Sequence, residues 1–175
     1  MSKLTVYLLA LFIVALDQFT KHWAVQHLAF DTPSVVLIPK VLYLTRTTNT
    51  GSAFGLFPGA TQVLALAALA AAIGIAYYVG RSKTAFSALI GVALALPLGG
   101  ALGNFLDRAR LSYVVDFIDL RIGTYQWPVF NVADSAICVG VVLLAVIFLR
   151  NGGAGTEGSR SAERIAVEPS TGASE

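Results

Sequence analysis

Long stretches without charge constrain the fold of this chain more than any other feature. No charged residue occurs from Gly59 to Gly80 or from Thr84 to Leu106, and Val129 to Leu149 contains only Asp134. A helix that crosses a bilayer needs about 20 mostly apolar residues. Each of the three stretches is therefore long enough to span a membrane.

A fourth candidate span runs from Leu4 to Trp23 and is interrupted late by Asp17 and Lys21. The chain is 56% hydrophobic and 13% charged, which is more apolar side chain than a soluble domain of 175 residues can bury. Asp17 also stands where a cleaved signal peptide would need small residues. We therefore expect a retained first helix and an all-α membrane protein with four transmembrane helices.

The connections and the end of the chain have other patterns. Residues 35–45 are rich in β-branched and aromatic side chains, which predicts a small extra-membrane β-rich segment between helices 1 and 2. From Asn151 onward Gly, Ser, Glu and Ala dominate without periodicity. We expect a membrane domain over residues 1–150 and a disordered polar tail over residues 151–175.

Helix 3 carries a ridge of small residues at a spacing of four: Gly91, Ala95, Gly99 and Gly103. Such a ridge lets the backbones of two membrane helices approach closely. We therefore expect helix 3 to pack tightly against a neighbour.

Charge excludes one class of partner and leaves orientation open. The net charge is only +2, so nucleic acid is not an expected partner. The positive-inside rule gives no answer, because the 12 lysines and arginines divide six and six between the two sides.

Polar residues gather at one predicted membrane surface. Asn104, Asp107 and Arg108 share a face at the end of helix 3 because they are three and four residues apart. Asn131 and Asp134 share a face at the start of helix 4, and the loop 107–128 joins the two helices. By the count of four spans, the same surface also receives Asp17, Lys21, Asn49 and Asp116.

Each of these residues also has a purely structural explanation. Asp17 and Lys21 are explained as an ion pair at the membrane interface. Asp107 and Arg108 are explained as a charge pair at a helix end. Asn49 is suited to closing an Asx turn, and Asn131 to capping helix 4. We expect Asp119 to be a solvated acid of the loop.

Asp134 is harder to explain by structure alone. It lies about one turn inside an apolar helix, where a charge costs at most about 2.5–3.5 kcal/mol. Asp116 is a second isolated acid, with Val115 and Phe117 beside it. Two close carboxylates share one proton over a wide pH range. The ionised one can activate water while the protonated one polarises a carbonyl and later protonates the leaving amine.

Two other hydrolase designs fit poorly. His22 and His27 are five residues apart, roughly 140° around a helix, and do not converge on a zinc ion. A serine hydrolase needs a base beside its nucleophile, and the same two histidines would be the only such bases for Ser52 or Ser135. We therefore expect neither a metal nor a cofactor.

Five ordered motifs, which together extend over about residues 1–150, resemble the lipoprotein signal peptidases, also called signal peptidase II or prolipoprotein signal peptidase. Ser52 stands where many members have alanine, and Phe105 where leucine is common. The motifs are Asp17–Lys21, Asn49–Gly55, Gly103–Arg108, Val114–Ile118 and Phe130–Ser135.

The resemblance implies an aspartic endopeptidase of the bacterial inner membrane, with both termini cytoplasmic and residues 24–59 and 107–128 on the outer side. Members cleave prolipoproteins just before a diacylglyceryl-modified cysteine, and the peptide globomycin inhibits them. The resemblance makes Asp116 and Asp134 the catalytic pair. Substrate-binding or supporting roles are implied for Asn49, Gly51, Asn104, Asp107, Arg108 and Asn131, with structural or supporting roles for Asp17 and Lys21.

The implied partners are the lipid-modified prolipoproteins and membrane lipid. The main alternative is a small proton-coupled transporter that uses its intramembrane acids as a relay. Acids in such transporters lie near the midplane, on broken or repeated helices. The acids here gather toward one surface, and the sequence has no evident repeat.

Overall fold

Four long helices form the body of the part of the chain that the structure describes. The computed structural model describes residues 1–51 and 59–166, with side chains described to residue 150. The helices are α1 (Lys3–His27), α2 (Thr61–Arg81), α3 (Ala88–Leu111) and α4 (Val132–Ala166). Each contains a stretch long and apolar enough to cross a membrane, which in α4 is Val132–Arg150. The prediction of four spans is confirmed.

Helix α3 is the central helix. Of its most apolar stretch 61% is buried inside the protein, compared with 22% or less in the other three spans. A Cβ atom at Gly99 would lie 2.7 Å from the carbonyl oxygen of Ala10 in α1, and a Cβ at Gly100 would clash with Ala133 in α4. The predicted small-residue ridge thus allows close packing against α1, and Gly100 does the same for α4.

An antiparallel sheet of four strands joins the two connections at one end of the helices. Its strands, in the order in which they pair, are β1 (Val35–Ile38), β2 (Leu42–Asn49), β3 (Val114–Ile122) and β4 (Tyr125–Gln126). In chain order, β1 and β2 come after α1 and before α2. The expectation of a loop over 107–128 is wrong, because α3 continues to Leu111 and β3 and β4 follow it. The fold is therefore mostly helical with a small sheet, and not all-α.

The end of the chain differs from the sequence-based expectation. Residues 151–166 continue α4 as a helix, whereas composition predicts disorder from Asn151. The first proline of this region is Pro169, so no residue up to Ala166 lacks a backbone N–H. Residues 167–175 lie outside the described residues, and the domain boundary at residue 150 stays a prediction.

Candidate active site

Asp134 is the third residue of α4, as its sequence position predicts. Asn131 lies just before the helix, and its Oδ1 accepts a hydrogen bond from the Asp134 N–H at 2.8 Å. In return, Asp134 Oδ2 accepts from the Asn131 N–H at 3.4 Å. This reciprocal cap confirms the predicted capping role of Asn131. The helix N-terminus also favours negative charge on Asp134, which is half-buried.

Asp116 lies on strand β3 and is 1% exposed. Its Oδ1 accepts from Asn131 Nδ2 at 2.6 Å, and its Oδ2 accepts from Asn49 Nδ2 at 3.1 Å. Backbone hydrogen bonds between Ile118 and Phe130 hold the start of α4 beside β3. Because of this bridge, Asn131 contacts both carboxylates.

The surroundings of Asp116 favour its protonated form. Burial and the nearby charge of Asp134 raise the pKa of Asp116 from 3.8 to about 7, although the hydrogen bonds from Asn49 and Asn131 act in the opposite direction. A carboxyl group with this pKa can both hold and release a proton near neutral pH.

Asn104 connects Asp134 to the helices behind it. Its Nδ2 donates to Asp134 Oδ1 at 2.7 Å. Its Oδ1 accepts from Lys21 Nζ at 2.9 Å and from Asn131 Nδ2 at 3.2 Å. The donors and acceptors of this buried amide are therefore used on both sides, which orients the Asp134 carboxylate.

Lys21 is the centre of a buried ionic cluster. Its Nζ lies 2.9 Å from Asp17 Oδ2 and 3.0 Å from Asp107 Oδ2. Asp17 Oδ1 also accepts from the N–H of Ala133 in the first turn of α4, at 2.9 Å. The Asp17–Lys21 pair is therefore buried rather than interfacial, and it ties α1 to the helix that carries Asp134.

Asp107 and Arg108 point in different directions. Asp107 pairs with Lys21 and accepts from the Val115 N–H at the start of β3, at 3.1 Å. Arg108 Nη2 donates instead to the Gly51 carbonyl oxygen at 2.9 Å. A helix-end pair between the two neighbours is thus not formed.

Gly51 and Asn49 form the turn predicted from sequence. The Gly51 N–H donates to Asn49 Oδ1 at 3.0 Å, which is an Asx turn. The same asparagine also donates to Asp116 Oδ2, and its supporting role in the site stays a prediction. Ser52 and the rest of its motif, up to Gly55, lie outside the described residues.

One acid of the sheet has a role that sequence reasoning missed. Asp119 is fully buried, pairs with Arg121 at 2.6 Å and accepts from Thr45 Oγ1 at 2.9 Å. Burial raises the pKa of Asp119, but the hydrogen bonds from Arg121 and Thr45 outweigh it and hold the pKa below its ordinary value. The prediction of a solvated loop acid is wrong. The two-residue spacing of Asp119 and Arg121, which puts both on one face of a strand, was the available signal.

All ten residues predicted for the site belong to one continuous set of hydrogen bonds and ion pairs. The set runs from the Asp17–Lys21–Asp107 cluster through Asn104 to Asp134, and through Asn131 to Asp116, Asn49, Gly51 and Arg108. Among the described residues, no three His, Cys, Asp or Glu side chains lie together as ligands for a metal ion.

The fold and the site define an integral membrane protein that carries a pair of carboxyl groups where its helices meet a small sheet. Residues 9–150 match the family described as signal peptidase (SPase) II. The chain therefore belongs to the signal peptidase II family, a family of proteases, and is a multi-pass protein of a bacterial membrane. The resemblance drawn from the five motifs is confirmed.

Individual relatives agree with this assignment. The lipoprotein signal peptidase of Bacillus subtilis (strain 168) is 46% identical over 147 residues, which cover 84% of this chain and 94% of the relative. The lipoprotein signal peptidase of Bacillus velezensis is 45% identical over 147 residues, which cover 84% of this chain and 95% of the relative.

Two solved structures of bacterial membrane enzymes, determined by the in meso method, have the same fold. One has a TM-score of 0.77 at 33% identity and covers 85% of this chain and 89% of its own. The other has a TM-score of 0.73 at 34% identity, and the match covers 83% of this chain and 92% of the solved chain.

Proposed function

We propose that this chain is an aspartic endopeptidase that removes the signal peptide of prolipoproteins, cleaving just before a diacylglyceryl-modified cysteine. The observation that carries the proposal is the Asn131 side chain and backbone, which bond to Asp116 and to Asp134 at the same end of the helices. The names of the relatives supply the substrate class.

Asp134 acts as the base and Asp116 as the acid in this proposal. Asp134 lies at a helix N-terminus, which favours its charged form. Asp116 is more buried, and its pKa of about 7 lets it carry a proton near neutral pH. These different surroundings give two like groups two roles, as in other carboxylate pairs.

The proposed hydrolysis has two steps. Asp134 takes a proton from water as the water oxygen attacks the peptide carbonyl carbon, and Asp116 gives its proton to the carbonyl oxygen. The resulting gem-diol then returns a proton to Asp116 while Asp134 protonates the amide nitrogen, and the carbon–nitrogen bond breaks. One water is consumed, both carboxyl groups return to their starting state, and no covalent intermediate with the protein forms.

The surrounding polar residues hold this pair and the substrate. Asn49 and Asn131 orient Asp116, and Asn104 orients Asp134. Arg108 is fixed to Gly51 through Nη2, while its buried Nε has no hydrogen-bond partner within the described part of the chain. That Nε–H is a suitable donor for a substrate carbonyl.

The placement of the site suits a substrate anchored in lipid. Both termini are cytoplasmic in this proposal, and the sheet lies on the outer side of the membrane. The bond before a lipid-bearing cysteine is held near the membrane surface, where Asp116 and Asp134 meet. The acyl chains can stay between the helices, and a globomycin-type peptide is expected to occupy the same pair.

The transporter alternative has less support. A proton relay across a membrane is expected to place its acids near the midplane. Asp134 is instead in the first turn of its span, and Asp116 lies on a strand that is outside the spans.

The substrate assignment is tested with the purified full-length chain and a synthetic prolipoprotein peptide that carries a diacylglyceryl cysteine. We expect cleavage, with product masses that place the new N-terminus at the modified cysteine. A peptide of the same sequence without the lipid is the control and is expected to be cleaved far more slowly. Equal cleavage of both peptides, or cleavage at another bond, would contradict the assignment.

A further inference from the structure

A cavity of about 360 Å³ lies between the ends of α1 and α3, next to the start of β3. Of the ten residues predicted for the active site, only Lys21 and Asp107 line it. Its polar wall consists of Gln18, Lys21, His22, Asp107, Arg110 and Tyr113. The cavity is large enough for a small ligand or a lipid headgroup.

Arg110 is the cation of this wall whose charge is not balanced. Lys21 is neutralised by Asp17 and Asp107, at 2.9 and 3.0 Å. Within residues 1–51 and 59–150, Arg110 has no ion pair with an acid, and the one hydrogen bond it makes there is a long one, 3.5 Å, to Gln18 Oε1. An exposed guanidinium at the rim of a cavity favours an anionic ligand.

Gln18 is held so that it supports this arrangement. Its Nε2 donates to Asp107 Oδ1 at 2.8 Å and to Asp17 Oδ2 at 3.2 Å. The amide oxygen of Gln18 must therefore face Arg110, which keeps the guanidinium beside the cavity.

The apolar surface next to the cavity suits acyl chains. Leu4, Leu11 and Gln18 are seven residues apart, so they lie on one face of α1. Leu4 and Leu11 are 66% and 63% exposed, and they lead from the opposite end of the span up to the cavity wall. Trp23 lies five residues beyond Gln18, near the end of α1, at a level typical of membrane-interface aromatics.

We propose that this cavity binds the phosphate headgroup of an anionic diacyl phospholipid, taken from the leaflet on the side of the sheet. Arg110 supplies the charge, and the Tyr113 hydroxyl and the His22 ring supply further donors. The acyl chains lie along the exposed face of α1. Basic pockets between the helices of membrane proteins bind anionic lipid headgroups on the cytoplasmic side, and the same charge attraction applies to a cavity on the side of the sheet. The proposal is independent of the protease function.

The test measures lipid retention by native mass spectrometry of the full-length chain in non-ionic detergent. Phosphatidylglycerol and phosphatidylcholine with the same acyl chains are added separately. We expect one phosphatidylglycerol to bind in preference to phosphatidylcholine, and Arg110→Gln to weaken it by about fivefold. Arg81→Gln, which removes an exposed cation at the other end of the helices, is the matched control and should bind as the unchanged chain does.

Several results would overturn the proposal. Equal retention of the two lipids would do so, as would equal loss in Arg110→Gln and Arg81→Gln. If inorganic phosphate displaced phosphatidylglycerol at equal concentration, the ligand of the cavity would be a free anion and not a lipid. Arg110→Lys keeps the charge and should retain most of the binding. Unfolding temperatures of all variants establish that they remain folded.

Discussion

At the residue scale, the two carboxyl groups are in different surroundings although they share one partner. Asp116 is buried in a strand and receives two side-chain amides. Asp134 is half-buried at a helix N-terminus and accepts hydrogen bonds from the Asn104 side chain and the Asn131 backbone N–H. The burial of Asp134 is therefore less costly than its position in an apolar segment suggests. Asp116, outside the spans, is the more deeply buried acid.

The raised pKa of Asp116 predicts a pH-dependent loss of stability. A carboxyl group whose pKa is higher in the folded state is destabilising once it ionises. For Asp116 this destabilisation is absent below about pH 3.8 and complete above about pH 7. We expect Asp116→Asn, which resembles the protonated form, to stabilise the protein above pH 7 by on the order of 4 kcal/mol and to have little effect near pH 4.

This is measured as the unfolding temperature in detergent from pH 4 to pH 8. Asp31→Asn is the control, because Asp31 is exposed and its positive φ of 51° suits asparagine. The difference in unfolding temperature between the Asp116 variant and the unchanged chain should grow with pH, and it should grow more than the difference for Asp31→Asn, which removes an exposed carboxylate. A difference for Asp116→Asn that does not change with pH would contradict the assigned pKa.

At the element scale, close contacts of α3 decide where the polar groups lie. Gly103 is so near α1 that a Cβ there would lie 2.5 Å from Asp17 Oδ2. The Asp17 carboxylate therefore reaches past α3 to the Ala133 N–H in α4. Glycines in α3 thus set the position of the helix that carries Asp134.

Substituting Gly99 tests this packing. Its added Cβ would meet the Ala10 backbone at 2.7 Å, so Gly99→Ala should push α1 and α3 apart and destabilise the protein by about 1–3 kcal/mol. Gly74→Ala in α2 is the matched control, since a Cβ there meets nothing within 4 Å. It should be neutral or stabilising by up to about 1 kcal/mol. Equal unfolding temperatures for the two variants would contradict the role given to α3.

The elements differ in how well sequence predicts them. The four spans follow from uncharged runs, because nothing else accommodates so much apolar surface. Strand β3 was missed because Val114 to Phe117 are all buried, so polar and apolar residues do not alternate there. The Asp17–Ala133 contact joins residues that are far apart in sequence, and no local pattern indicates it.

At the scale of the whole molecule, the two connections on one side of the helices form a single structure. Strands β2 and β3 pair antiparallel, with Asn49 opposite Val114 and Thr47 opposite Asp116. This pairing brings the turn after β2 to the start of β3 and to the end of α3. Residues from five separate parts of the chain thus meet in one site. The motifs indicated these residues, but not the hydrogen bonds between them.

The central claim is that Asp116 and Asp134 carry out the cleavage together, and it is tested most directly by the rate of hydrolysis of a lipid-modified prolipoprotein. We predict that Asp116→Asn and Asp134→Asn each lower kcat/KM by at least about a thousandfold, as does the double variant, because each group is useless without the other. Asp31→Asn should keep full activity, and all four variants should stay folded in thermal unfolding. Substantial activity in either single variant, or losses that add in the double variant, would contradict the claim.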